Sequence, residues 1–149
     1  MINKLIASCF GIGYMKGGGS VAALVTCVVI WFFPNQHYAI ALPVATVLIT
    51  LLGIYVGNKV EAEWGKDSYR VVIDEVSGML VTLLFVPLTL TNLIAGFVLF
   101  RFFDMVKPLY IRKMEDLPGG TGVMMDDVLA GVYANLILQV FIIAMNKLY

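Results

Sequence analysis

Five long apolar stretches, residues 20–33, 38–56, 76–86, 93–106 and 128–145, leave this chain few ways to fold. Only short polar breaks separate them: Pro34-Asn35 and residues 58–70, 87–92 and 107–125. Hydrophobic residues make up 60% of the 149 and charged residues 13%, against about 45–50% and about 25% in a soluble domain. A chain of this length has no interior large enough to hide the surplus, so lipid is the expected solvent. The expected fold is all-α, a polytopic membrane helix bundle of about five transmembrane or partly re-entrant helices, forming one integral membrane domain over residues 1–149.

At about 1.5 Å per residue, only the second and fifth stretches comfortably approach a hydrocarbon slab of about 30 Å. The third and fourth are short unless residues 71–73 and 101–104 are counted as helix. Counting them puts Asp74-Glu75 and Asp104 inside helices, near one membrane face. With five passes, the N-terminal tail and residues 58–70 and 107–125 share one side. That side holds or borders Lys4, Lys16, Lys59, Lys66, Arg70, Arg101, Lys107, Arg112 and Lys113, against Lys147 alone on the other. The positive-inside rule makes the basic side cytoplasmic. Residues 5–15 behind Lys4 look superficially like a signal peptide, but no convincing cleavage pattern follows, so they are expected in the mature protein.

Three stretches carry small and polar stripes at helical spacing: Thr46, Thr50, Gly53 and Gly57; Glu75, Gly78 and Thr82; and Asp127, Gly131, Asn135 and Gln139. In membrane helices such stripes mark helix–helix contacts. The bundle is therefore expected to turn its acids inward. Asp74, Glu75, Asp104, Asp126 and Asp127 all fall at the cytoplasmic side, where ionised groups near lipid persist mainly if they pair, bind a cation or serve a reaction. The one histidine, His37, falls on the opposite side as a loop residue, and Cys9 and Cys27 read as small buried hydrophobes. Carboxylates without imidazole or thiolate suit Mg²⁺ or Mn²⁺. Arg101 and Lys107 flank Asp104 at intervals of three and offer the alternative, plain ion pairing.

Two glycine-rich segments border the same face. Lys16-Gly17-Gly18-Gly19-Ser20 opens the first stretch, with Ser20 as a plausible N-cap, and Gly119-Gly120-Thr121-Gly122 leads to the Asp pair. Free backbone amides at helix starts attract phosphate, and glycine lets it come close. Each segment by itself reads as a flexible connection; beside the acid cluster and Lys16, phosphate becomes the natural shared ligand. Arg101 either pairs with Asp104 or holds a phosphate oxygen. Arg112 and Lys113 read as topology determinants, and Glu61, Glu63 and Asp67 as solvated loop acids.

Three motifs resemble those of the phosphatidylglycerophosphatase A family: Asp74-Glu75-Val76-Ser77-Gly78-Met79; Arg101-Phe102-Phe103-Asp104-Met105-Val106-Lys107-Pro108; and Gly119-Gly120-Thr121-Gly122 through Met125-Asp126-Asp127 to Ala130-Gly131. The resemblance implies Mg²⁺-dependent removal of the terminal phosphate of phosphatidylglycerophosphate, in the cytoplasmic membrane of a bacterium. It places the chemistry and the metal on Asp74, Glu75, Asp104, Asp126 and Asp127. Substrate phosphate would meet Lys16, Gly19, Ser20, Arg101, Lys107, Gly120, Thr121 and Gly122. The chain departs from the family at its N-terminal loop, which lacks the usual proline and carries Lys16 nearby. Expected partners are the phospholipid substrate and membrane lipids, with no nucleic acid; zero net charge suggests no polyanion. A CDP-alcohol phosphotransferase would need an Asp-Gly-x-x-Ala-Arg segment that is absent. A small cation transporter using intramembrane carboxylates is the alternative from another class.

Overall fold

Each of the five apolar stretches forms the body of a helix, because long runs of Leu, Ile, Val and Ala leave the backbone to satisfy itself. The computed structural model describes residues 1–32 and 38–148, and among these the chain is wholly helical. Its elements are α1 (Ile2–Ala7), a single 3-10 turn (Ile12–Tyr14), α2 (Gly18–Trp31), α3 (Tyr38–Trp64), α4 (Ile73–Thr82), α5 (Leu90–Val106), α6 (Ile111–Met114) and α7 (Gly119–Leu148). The break at Pro34-Asn35 and the loop residue His37 lie outside the described residues.

Three boundaries differ from the expected ones. α2 begins at Gly18, with Gly17 as its N-cap in the left-handed region (φ 76°), so Ser20 lies inside the helix and caps nothing. α3 continues past Val56 to Trp64, taking in Glu61 and Glu63, because Gly57 and Val60 on its inner face stay buried. Glu63 pairs there with Lys4, so one acid read as solvated ties the N-terminal segment to α3. α7 begins at Gly119, nine residues before the expected start at 128, which makes Gly119–Gly122 its first turn and not a loop. The short helix α1 was not foreseen at all.

α7 is the axis of the bundle: α3, α4, α5 and α6 all pack on it. α4 has only 10 residues and is buried over nearly its whole length. At about 1.5 Å per residue it rises about 15 Å, half the thickness of a hydrocarbon slab. Its early end frees carbonyls that an apolar interior cannot satisfy. Side chains from neighbouring helices meet them. Asn135 Nδ2 donates to the carbonyls of Thr82 (2.9 Å) and Leu84 (2.8 Å), and the Tyr38 hydroxyl donates to that of Leu83 (2.9 Å). α5 then restarts behind Thr89, whose side chain accepts from the Asn92 amide at 3.1 Å.

α3 and α7 are each long and apolar enough to cross a membrane, in the segments Tyr38–Trp64 and Gly119–Met145. Only 22% and 28% of their most apolar stretches are buried, so neither is the hidden core helix of a soluble protein. Their outer faces, and that of α2, present Val28, Val29, Val47, Leu48, Leu51, Leu136 and Val140 outward. Contiguous apolar surface of this extent needs a cover. Neither cysteine is in a disulfide, and burial pushes the Cys9 thiol up to about 11, with the charge of Glu75 adding to it. That thiol is inert at neutral pH.

Candidate active site

Four parts of the chain deliver charged groups to one end of the bundle. Asp74 and Glu75 stand in the first turn of α4, where the helix dipole favours anions. Arg101 and Asp104 come from the last turns of α5, and Lys107 caps it in the left-handed region (φ 47°). Asp126 and Asp127 follow two turns into α7, and residues 16–19 close the site at the start of α2. Together with Asp67, Ser68 and Tyr69 they line a polar cavity of about 540 Å³.

Close helix crossings bring these groups into range. A methyl group on Gly78 would overlap Phe100 and the carbonyl of Asp127, and one on Gly131 would overlap the carbonyl of Gly78. α4 and α7 therefore touch backbone to backbone one turn from Asp74. A methyl group on Gly19 would in turn strike the Glu75 carboxylate, so the start of α2 is pressed onto that acid. Thr50 Oγ1 and Ser77 Oγ, 2.6 Å apart, bind α3 to the same side of α4.

The five acids divide into two sets. Asp74, Glu75 and Asp127 each offer a carboxylate oxygen within 4.8 Å of the others. Within this trio Glu75 Oε2 and Asp127 Oδ2 are buried and have no hydrogen-bond partner. Buried carboxylate oxygens without partners are costly, and a divalent cation is the group that removes the cost from several at once. An all-oxygen donor set suits a hard ion of the Mg²⁺ type. Asp104 and Asp126 line the same cavity but stand outside the trio, already engaged. Asp104 pairs with Arg101, whose Nη1 is also 3.8 Å from Glu75 Oε1. Asp126 accepts from Lys107 Nζ at 2.6 Å and from the Asp127 amide at 2.9 Å.

The cations divide as well. Lys107 is held by both Asp126 and Glu115, each at 2.6 Å. Burial opposes its charge, but these two acids outweigh that and raise its pKa above the ordinary lysine value. Lys107 was expected beside Asp104; the end of α5 turns it to α7 instead. Arg101 is committed to Asp104, yet its Nε is buried and unpartnered. Lys16 lines the cavity and makes no salt bridge among the described residues.

Ser20, Gly120, Thr121 and Gly122, expected at the phosphate, do not line this cavity. Gly120 packs on the backbone of α3 at Ile54 and Gly57, and its amide donates to Asn58 Oδ1 at 2.8 Å. Gly120 thus serves a helix crossing, while Gly122 packs on the Leu117 carbonyl of the turn before α7. Asp67, Ser68, Tyr69 and Tyr14 are lining residues that sequence reasoning missed. Asp67 was hidden by the neighbouring lysine, which made it look solvated; Glu115, the second partner of Lys107, carried no signal of its own.

Comparison with known proteins gives the class first. A relative in Bacteroides thetaiotaomicron, described as a putative phosphatidylinositol-3-phosphatase, is 44% identical over 144 residues, 91% of each chain. Two others, in Haemophilus influenzae and Escherichia coli K12, are described as phosphatidylglycerophosphatase A. They are 42% identical over 96 residues and 37% over 120, covering 62% and 76% of this chain. This chain spans 59% and 66% of their lengths. The protein is a phosphatase. The family model described as Phosphatidylglycerophosphatase A matches residues 5–142, and the chain belongs to that family. No solved structure matches it.

Proposed function

We propose that this protein is a Mg²⁺-dependent phosphatidylglycerophosphatase, hydrolysing the terminal phosphomonoester of phosphatidylglycerophosphate to give phosphatidylglycerol. The observation that carries the reading is the trio Asp74, Glu75 and Asp127, with two orphaned oxygens, in a cavity that also holds three cationic side chains. The trio holds the ion. When bound, Mg²⁺ supplies the Lewis acidity that neutralises phosphoryl oxygens and activates water. Lys16, which makes no salt bridge among the described residues, meets the incoming phosphate. Arg101 and Lys107 steady the remaining charge, each held in place by its acid as a preorganised clamp. Asp104 and Asp126 are the positioning acids of that clamp.

The same reading sets the chain in a bacterial cytoplasmic membrane, with α2, α3, α4, α5 and α7 as the five passes. The lopsided distribution of lysine and arginine supports a cavity at the cytoplasmic face. The lipid tails then stay in the bilayer while the phosphate enters from the edge.

The test is phosphate release from detergent-dispersed phosphatidylglycerophosphate, with and without Mg²⁺. Release that stops on chelation and returns with Mg²⁺ is expected. Faster release from phosphatidylinositol 3-phosphate would move the substrate toward that in the Bacteroides relative's name. No release from folded protein, together with ion flux in vesicles, would favour the cation transporter and overturn the proposal.

A further inference from the structure

A second cavity, apolar and about 260 Å³, is lined from positions next in the chain to those of the polar one. α2 and α3 both lean on α4 but hardly touch each other, and this groove is the gap between them, with α4 as its floor. Three parts of the chain pass from one cavity into the other. On α4, Glu75 faces the polar cavity and Val76 the groove; on α2, Gly19 and Ala22 divide in the same way; ahead of α2, so do Tyr14 and Ile12.

From that junction the groove follows α2 as far as Ile30 and α3 as far as Tyr38. It is therefore about 12–16 Å long at about 1.5 Å per residue. Its depth comes from alanines, Ala41 and Ala45 on α3 among them. The two polar side chains in its wall are spent: Thr26 Oγ1 donates to the Ala22 carbonyl at 2.8 Å, and the Tyr38 hydroxyl donates to Leu83. A groove whose two hydroxyls have spent their protons on backbone carbonyls, and whose other lining is apolar apart from the weakly polar Cys9 thiol, disfavours anything that must hydrogen-bond and favours hydrocarbon. Val25 and Val29 form a rim that is 42% and 60% exposed, so it opens sideways along the apolar flank of the bundle.

We propose that this groove seats one acyl chain of the phospholipid whose phosphate occupies the polar cavity. The inference rests on the proposed lipid phosphatase reading and adds to it the site that recognises the tail. A charged pocket beside a hydrocarbon slot, with Glu75 lining one and Val76 the other, fits an amphiphile with a phosphate head.

The test has two arms. In the first, wild-type protein is irradiated with phosphatidylglycerophosphate carrying a diazirine midway along one acyl chain, and the labelled residues are mapped. Label on the facing walls of α2 and α3, removed by unlabelled phosphatidylglycerophosphate but not by phosphatidylcholine, is expected. Label spread over the outer faces of α5 and α7, or removed equally by both lipids, means ordinary bilayer contact and overturns the inference. In the second arm, Ala45→Phe fills the groove. The ratio of kcat/KM for long-chain over short-chain substrate should fall about tenfold, the equivalent of roughly two methylene groups no longer buried. An equal fall for both chain lengths, or none, overturns it. Competable label in the groove without phosphate release would sink the phosphatase reading alone. Release with label elsewhere would sink the groove alone, and neither release nor specific label would sink both.

Discussion

Adjacent acids play different parts at this site because a helix sends neighbours about 100° apart. Asp127 turns toward Asp74 and Glu75, whereas Asp126 turns to Lys107. Asp127→Asn is therefore expected to raise the Mg²⁺ needed for half-maximal activity by about a hundredfold, since even outer partners of a metal ligand cost about 10–100-fold. A Mg²⁺ titration checks this, and an unchanged metal requirement would remove Asp127 from the ligand set. Among the described residues, Lys16 is the cavity cation that makes no salt bridge. Lys16→Met should lower kcat/KM about 10–100-fold, the worth of one charge-assisted hydrogen bond, with the metal titration left as in the wild type. An unchanged kcat/KM would mean that Lys16 never reaches the phosphate.

At the scale of the element, α4 decides the site. It is too short to cross a membrane alone, and its two ends are used differently: the acids stand at one, and the carbonyls taken up by Asn135 and Tyr38 at the other. Its register against α7 is fixed where Gly78 and Gly131 meet. Gly78→Leu is expected to push the helices apart, cost about 1–3 kcal/mol by overpacking, and weaken Mg²⁺ binding with it. Thermal unfolding in detergent with and without Mg²⁺ separates the two effects. A variant that unfolds earlier yet keeps the wild-type stabilisation by Mg²⁺ would show that the crossing does not set the trio. This element was half legible in sequence: the stripe Glu75, Gly78, Thr82 marks the packed face, but nothing in it says which helix that face meets.

Across the whole molecule, the open apolar flanks and the one-ended charge make a claim about orientation. The proposed five passes would put the N-terminus and the segment 65–72 on the cytoplasmic side, and the turn at Thr89 on the other. A reporter fused at Thr89 should read as external and one at Lys66 as internal. Internal signals at both would mean that α4 and α5 form a re-entrant hairpin, a possibility that α4, at half length, makes concrete.

Helical class and the gathering of acids toward one end could be read from the chain alone, because both follow from local properties. Apolar runs must satisfy their own backbone, and charge is too costly to leave along them. The extents of α3 and α7 could not be read that way, since their polar ends are held in helix by burial of Gly57, Val60 and Gly120 against distant partners. The roles of the glycines and acids depended on tertiary structure for the same reason. The Gly120 amide goes to Asn58 of α3, Lys107 pairs with Asp126, and among the described residues three of the five carboxylates offer oxygens all within 4.8 Å of one another. Which oxygens are left without partners is settled by where helices far apart in sequence cross, and residue order carries no trace of that distance.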